Sequence, residues 1–315
     1  MSEVKKIATR ESYGRTLAEL GAVNDRIVVL DADLAESTKT AMFQEKFPDR
    51  HFDCGIAEAN MMSIAAGLAA AGMVPFASSF AMFAAGRAYE QIRNSIGYPH
   101  LNVKVCASHA GISVGEDGAT HQCIEDLSLM RNIPGMVVLN PADDTETALA
   151  VRAAAEYVGP VYMRLGRLAV PVINDPETYK FEIGKAVTLR EGTDATICAT
   201  GLMVARAIEA AKMLEAEGIN VRVLNIHTIK PMDAEAVCKA AQETGAIVTA
   251  EEHSVIGGLY SAVCESLLGN GVACKVLPVA VMDEFGQSGP AEALLTLYGL
   301  TAERIVERVK EAIGR

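Results

Sequence analysis

Strand-like and helix-like segments alternate along almost the whole chain, and this alternation limits the possible folds more than any other feature. The periodicity predicts a first helix over Ser12 to Gly21. RIVVLDADL reads as a strand entering a loop at Asp31 to Ser37, and HFDCGI as a short strand before a helix that begins near Glu58. MVPFASSF is strand-like, Met82 to Ser95 helical, and NVKVCAS and GMVVL are further strands. ETALAVRAAAEYV predicts a helix, and GPVYMRLGR closes a first unit. A polar, proline-containing connector near Val170 to Asp194 follows, after which the pattern restarts at DATICAT. VRVLNIHTI, AIVTAEEH and CKVLPVAV read as strands between amphipathic helices, with TAERIVERVKEAIG as the last helix. The expected fold class is α/β, with two three-layer αβα domains on mostly parallel sheets. The expected boundaries are residues 1–175, a linker at 176–189, and residues 190–315.

Ligands in such sheets sit beyond the carboxyl ends of the strands. Four stretches of the first unit therefore stand out: Asp31 to Ser37, Gly55 to Asn60, Ser79 to Phe83, and Ser108 to His121. Half of the 315 residues are hydrophobic, enough for a sizeable core. The net charge of -12 argues against unspecific nucleic-acid binding. No apolar run of about eighteen residues suggests a membrane span. The seven scattered cysteines, with no CxxC pair, suggest reduced thiols and a cytoplasmic location.

Each candidate residue has a plain structural reading beside a functional one. Glu58 in GIAEANM is either a first-turn helix acid or a carboxyl held in an apolar crevice, able to share a proton with a ring nitrogen. Phe80 and Phe83 are either core or an aromatic wall for a flat heterocycle. In GISVGEDGATHQ the flanking His109 and His121, with Glu116 and Asp117, match neither a calcium loop nor a P-loop. Its glycines instead suit a turn with positive φ that holds side chains over a cleft. Arg10 and Arg164 are candidate anion anchors, because the guanidinium fork suits phosphate. Asp33 and Ser37 are turn-formers or loop ligands, and His253 in EEH is a helix cap or an interface residue. No protein-ligated metal site is expected.

GIAEANM, PFASSFAMFAAGRAYEQI, SHAGISVGEDGATHQ, NPADDTE and YMRLGR occur in an order that resembles the thiamine-diphosphate enzymes of the transketolase superfamily. ATGLMVARAIEAAKMLEAEG, EEHSVIGGLYSAV and DEFGQSG extend the resemblance over almost the whole chain. It implies a pyrimidine-binding domain followed by a transketolase C-terminal domain. The GDG and Asn elements that bind diphosphate and metal in this family are missing. The chain thus resembles the carboxyl-terminal subunit of a split transketolase. An amino-terminal partner would supply those elements, along with Mg2+ or Ca2+, in an α2β2 heterotetramer.

The resemblance implies transfer of a glycolaldehyde unit from a ketose phosphate to an aldose phosphate, through a thiamine-diphosphate enamine. It gives Glu58 the hydrogen bond to N1' of the aminopyrimidine, and Phe80 and Phe83 the surroundings of that ring. Asp33 is implied near the cofactor at the subunit interface. His109, Asp117 and His121 are implied at the sugar, with His109 and His121 taking part in catalysis. Arg10, Ser37 and Arg164 are implied as donors to the sugar phosphate. Two positions depart from the family pattern. Gly86 stands where a third aromatic is expected, with Tyr89 as a substitute cover, and Ala57 and Ala59 flank Glu58 where Arg and His are common.

Other readings remain at this point: a deoxyxylulose-phosphate-synthase-like enzyme, a 2-oxo-acid dehydrogenase E1 beta subunit, or an idle scaffold. A nicotinamide dehydrogenase is poorly supported, since no GxGxxG follows the first strand.

Overall fold

The computed structural model describes residues 5–315. Seven strands form the first sheet, in the order Thr228–Lys230, Val137–Leu139, Val161–Arg164, Lys104–Ser108, Val74–Phe80, Ile27–Asp31, His51–Asp53. All neighbours are parallel except the first pair. The second sheet has five strands, in the order Lys275–Val281, Ala246–Ser254, Ala195–Ala199, Val221–Asn225, Val187–Arg190, and only the last is antiparallel. The central strands are buried at every position, which explains their unbroken apolar runs. Lys6–Ala8 and Ala169–Pro171 pair as a small separate ribbon.

Two features differ from the sequence reading of the second half. VRVLNIHTI is two strands rather than one: Val221–Asn225 lies in the second sheet, and Thr228–Lys230 crosses to the edge of the first. Ile226 and His227 carry the chain across, both buried. Hydrophobic periodicity does not show this switch, because Asn225, Ile226, His227 and Thr228 stay buried through the crossing whatever their polarity. Strand Val187–Arg190 also begins inside the stretch expected as linker.

A third difference lies in the segment Met82 to Ser95. It is not one regular helix. Wide π turns at Met82–Arg87 and Ile92–Gly97 flank a single α turn at Tyr89–Gln91. Such turns recur at functional sites because they shift side chains out of α register.

The two units share a buried seam. Glu146, in helix Asp144–Glu156, accepts hydrogen bonds from Asn225 Nδ2 at 2.6 Å, from the Tyr179 hydroxyl, and from the Ala142 N–H at 2.6 Å. It thereby ties the first unit to the connector and to the second sheet. Burial raises its carboxyl from 4.5 to about 7, against the pull of those donors. A carboxyl raised in the folded state binds more protons there than in the unfolded chain. Stability is therefore lost as pH rises from about 4.5 towards about 7, and levels off above that. Glu251 and Glu252, also raised to about 7 by burial, share this slope. Glu146→Gln is expected to flatten the fall in melting temperature across this window, as read by calorimetry at successive pH values. An unchanged slope would mean that Glu146 does not titrate there.

Candidate functional site

The carboxyl ends of five parallel strands of the first sheet meet at one rim. Ile27–Asp31 leads to Asp33 and Ser37, His51–Asp53 to Glu58, Val74–Phe80 to Phe80 and Phe83, Lys104–Ser108 to His109, and Val161–Arg164 to the arginines of RLGR. Asp31 fixes the first of these loops. Its buried carboxyl accepts from Thr38 Oγ1 at 2.6 Å, Thr40 Oγ1 at 2.9 Å and the Leu34 N–H at 2.6 Å. Asp33 is exposed with φ of 59°, and its N–H donates to Asp53 Oδ1 at 3.0 Å.

Most of the candidates form one connected row. Arg10 donates to the Ser37 carbonyl at 2.8 Å and lies 3.1 Å from His109 Nε2. Since a guanidinium only donates, Nε2 is the acceptor, and the proton sits on Nδ1, 2.9 Å from Ser108 Oγ. The His109 ring stacks on Phe80 with centroids 3.8 Å apart. Phe80 stacks on Phe83 at 6.1 Å, and His121 meets Phe83 edge-on at 5.2 Å. Glu58, 1% exposed at the start of helix Glu58–Ala70, faces the far side of this cluster through Arg87. His109 is driven down to about 3, first by burial and then by Arg10, Arg167 and His121, so it is neutral at physiological pH. It also holds a left-handed φ of 56°, a costly conformation for a histidine that points its ring across the strand ends.

The loop of GISVGEDGATHQ wraps over this row. Gly115 and Gly118 adopt φ of 86° and 72°, which glycine tolerates without strain. Asp117 is exposed at the loop tip. The second unit braces the loop, because Ser288 Oγ donates to the Glu116 carbonyl at 2.6 Å and Gln122 Nε2 donates to the Gln287 carbonyl at 3.0 Å.

The two arginines of RLGR divide the work. Arg164 is 4% exposed and paired with the fully buried Asp126 at 2.9 Å. It also donates to the carbonyls of Cys123 and Glu252, which ties the loop to the second unit. Burial opposes its charge, but Asp126 and Glu252 outweigh burial and hold the guanidinium further up. These bonds run to protein groups in both units. Arg167, three residues on, donates to the Val114 carbonyl and to Glu116 at 3.1 Å, and its charge acts on both Arg10 and His109. The sequence reading missed Arg167, although the repeated arginine in RLGR was the signal. The cap in EEH is Glu251, which accepts from the N–H groups of Leu259 and Tyr260 at 2.6 and 2.8 Å. His253 is the interface residue, accepting from the Ser128 N–H at 3.4 Å.

Comparison with known proteins matches these elements in order. Residues 5–172 match the transketolase pyrimidine binding domain, and residues 184–305 match the transketolase C-terminal domain. The chain belongs to the transketolase family, as a C-terminal subunit. It is 50% identical to a putative transketolase C-terminal section of Methanocaldococcus jannaschii, over 97% of this chain and 96% of that one. It is 46% identical to a 6-deoxy-6-sulfo-D-fructose transketolase subunit of a Clostridium species, over 97% and 94% of the two chains. Among solved structures it resembles a split gene transketolase described as an inactive beta4 tetramer. That match has 54% identity and a TM-score of 0.89, and covers 98% of this chain and 99% of the other. The row from Ser37 to Glu58 lies within the residues that match the pyrimidine binding domain.

The two arginines should respond differently to removal. Arg164→Ala leaves Asp126 buried without its partner and is expected to cost about 3–5 kcal/mol of stability. Arg167→Ala, at a side chain that is 37% exposed, is expected to leave the melting temperature nearly unchanged. Thermal melts of the two variants check this, and equal losses would contradict the division of roles.

Proposed function

We propose that this transketolase C-terminal subunit moves a two-carbon glycolaldehyde unit from a ketose phosphate to an aldose phosphate. It does so with an amino-terminal partner subunit, in an α2β2 assembly that binds thiamine diphosphate. The observation that carries the reading is the buried Glu58 carboxyl beside an aromatic wall, with a neutral imidazole and two arginines behind it. When bound, the cofactor supplies the electron sink for cleaving and forming the sugar carbon–carbon bond.

The chain's residues fit the pyrimidine half of that cofactor. Phe80 and Phe83 offer flat apolar faces, and Glu58 presents a carboxyl able to hold a proton against a ring nitrogen. Fixed at the first turn of its helix, Glu58 has its geometry set before the ligand arrives. The diphosphate and its Mg2+ or Ca2+ fall to the partner. Among the described residues no group of three His, Cys, Asp or Glu side chains is placed to hold a metal ion. Asp33, exposed at the rim, faces that partner.

Substrate binding falls to the other end of the row. Arg10 and Arg167 concentrate positive charge in an otherwise acidic chain, which suits a sugar phosphate. Arg164, implied as a further donor to the phosphate, also holds the end of the loop that carries Asp117 and His121. Ser37 stands beside the phosphate anchor Arg10, and Asp117 at the loop tip reaches for sugar hydroxyls. His109 and His121 serve the reacting sugar oxygens. Neutral His109 accepts at Nε2 while Arg10 donates to it, so a substrate oxygen that draws Arg10 away leaves that nitrogen able to take a proton. This cationic end supports a sugar-phosphate enzyme over a 2-oxo-acid dehydrogenase beta subunit.

Glu58→Gln keeps the shape but cannot transfer the proton. In the reconstituted pair, assayed with xylulose 5-phosphate and ribose 5-phosphate, it is expected to lower kcat by about 10²-fold or more. Turnover near that of the wild type would refute the role of Glu58.

A further inference from the structure

Arg87 makes the two contacts that a bound aminopyrimidine would make. Its Nη1 lies 2.8 Å from Glu58 Oε2, and its guanidinium carbon lies 4.6 Å from the centre of the Phe83 ring. A guanidinium is flat and presents N–H donors in its plane, so it satisfies a carboxylate and covers an aromatic face at once. The carboxylate it meets is 2% exposed, and the arginine is 50% exposed, with solvent on its other side.

Local structure explains why this arginine reaches the seat. The π turn Met82–Arg87 ends on it. Gly86 contributes no side chain, and a Cβ there would stand 2.3 Å from the Met82 methyl. Tyr89, the other candidate cover, is half-buried against the core. Where family resemblance leads one to expect a ring, the chain has Gly86, followed by the cation of Arg87.

Proton chemistry makes the two states exclusive. An ionised carboxylate paired with arginine only accepts hydrogen bonds, and a pyrimidine ring nitrogen also accepts. Glu58 can bond that nitrogen only by offering it a hydrogen, and the Oε2 that would do so now accepts from Arg87. We infer that Arg87 is a placeholder for the cofactor's pyrimidine, which closes the Glu58–Phe83 seat in the unloaded subunit and must leave it before the cofactor is seated. This inference rests on the proposed thiamine-diphosphate function and adds a controlled step to it.

The test uses this chain with its amino-terminal partner. Thiamine diphosphate and Mg2+ are titrated calorimetrically into the wild-type, Arg87→Ala and Arg87→Gln pairs. Removing the competitor is expected to tighten binding by about tenfold in both variants. Weaker or unchanged binding overturns the placeholder. A wild-type pair that binds no thiamine diphosphate overturns the proposed function instead. Should the variants fail to fold, the wild-type pair is labelled with phenylglyoxal and the modification at Arg87 is read by mass spectrometry. Labelling is expected to rise several-fold once thiamine diphosphate and Mg2+ are added, and constant or falling labelling contradicts the inference.

Discussion

The ion pair of Arg164 with Asp126 holds this molecule in its working shape. Both side chains are out of water, so removing either leaves the other buried without its counter-charge. Arg164 sits at the carboxyl end of a central strand, Asp126 at the start of the helix after the GEDG loop, and the carbonyls they recruit lie in both units. One interaction therefore fixes the loop, the strand end and the second sheet relative to one another. The row from Ser37 to Glu58 is arranged on the rim that this frame holds in place.

That row is one-sided. Its aromatic faces, buried carboxyl and cationic end come from one chain. Arg10 and Arg167 lie together at this rim of an acidic protein, which suits recognition of an anion there. The second unit takes part indirectly, through Ser288 and Gln287 bracing the loop that bears His121.

The sheet architecture was legible in the sequence because buried parallel strands leave continuous apolar runs between amphipathic helices. The rim was legible because ligand sites follow strand ends, which picked out Glu58, Phe80, Phe83 and His109 before any geometry was available. Three things were not legible. The switch of VRVLNIHTI between sheets leaves no trace in its hydropathy. The pairing of Arg164 with Asp126 joins residues 38 apart in sequence, a contact that spacing does not show. The approach of Arg87 to Glu58 depends on a π turn, and periodicity reads that turn as ordinary helix.

The central claim is that this chain forms one wall of a site completed by another subunit. Calorimetric titration of thiamine diphosphate and Mg2+ into the chain alone, and then into the chain with its amino-terminal partner, tests it most directly. Weak or no binding by the chain alone and tight binding by the pair is the predicted result. Tight binding by the isolated chain would contradict the claim.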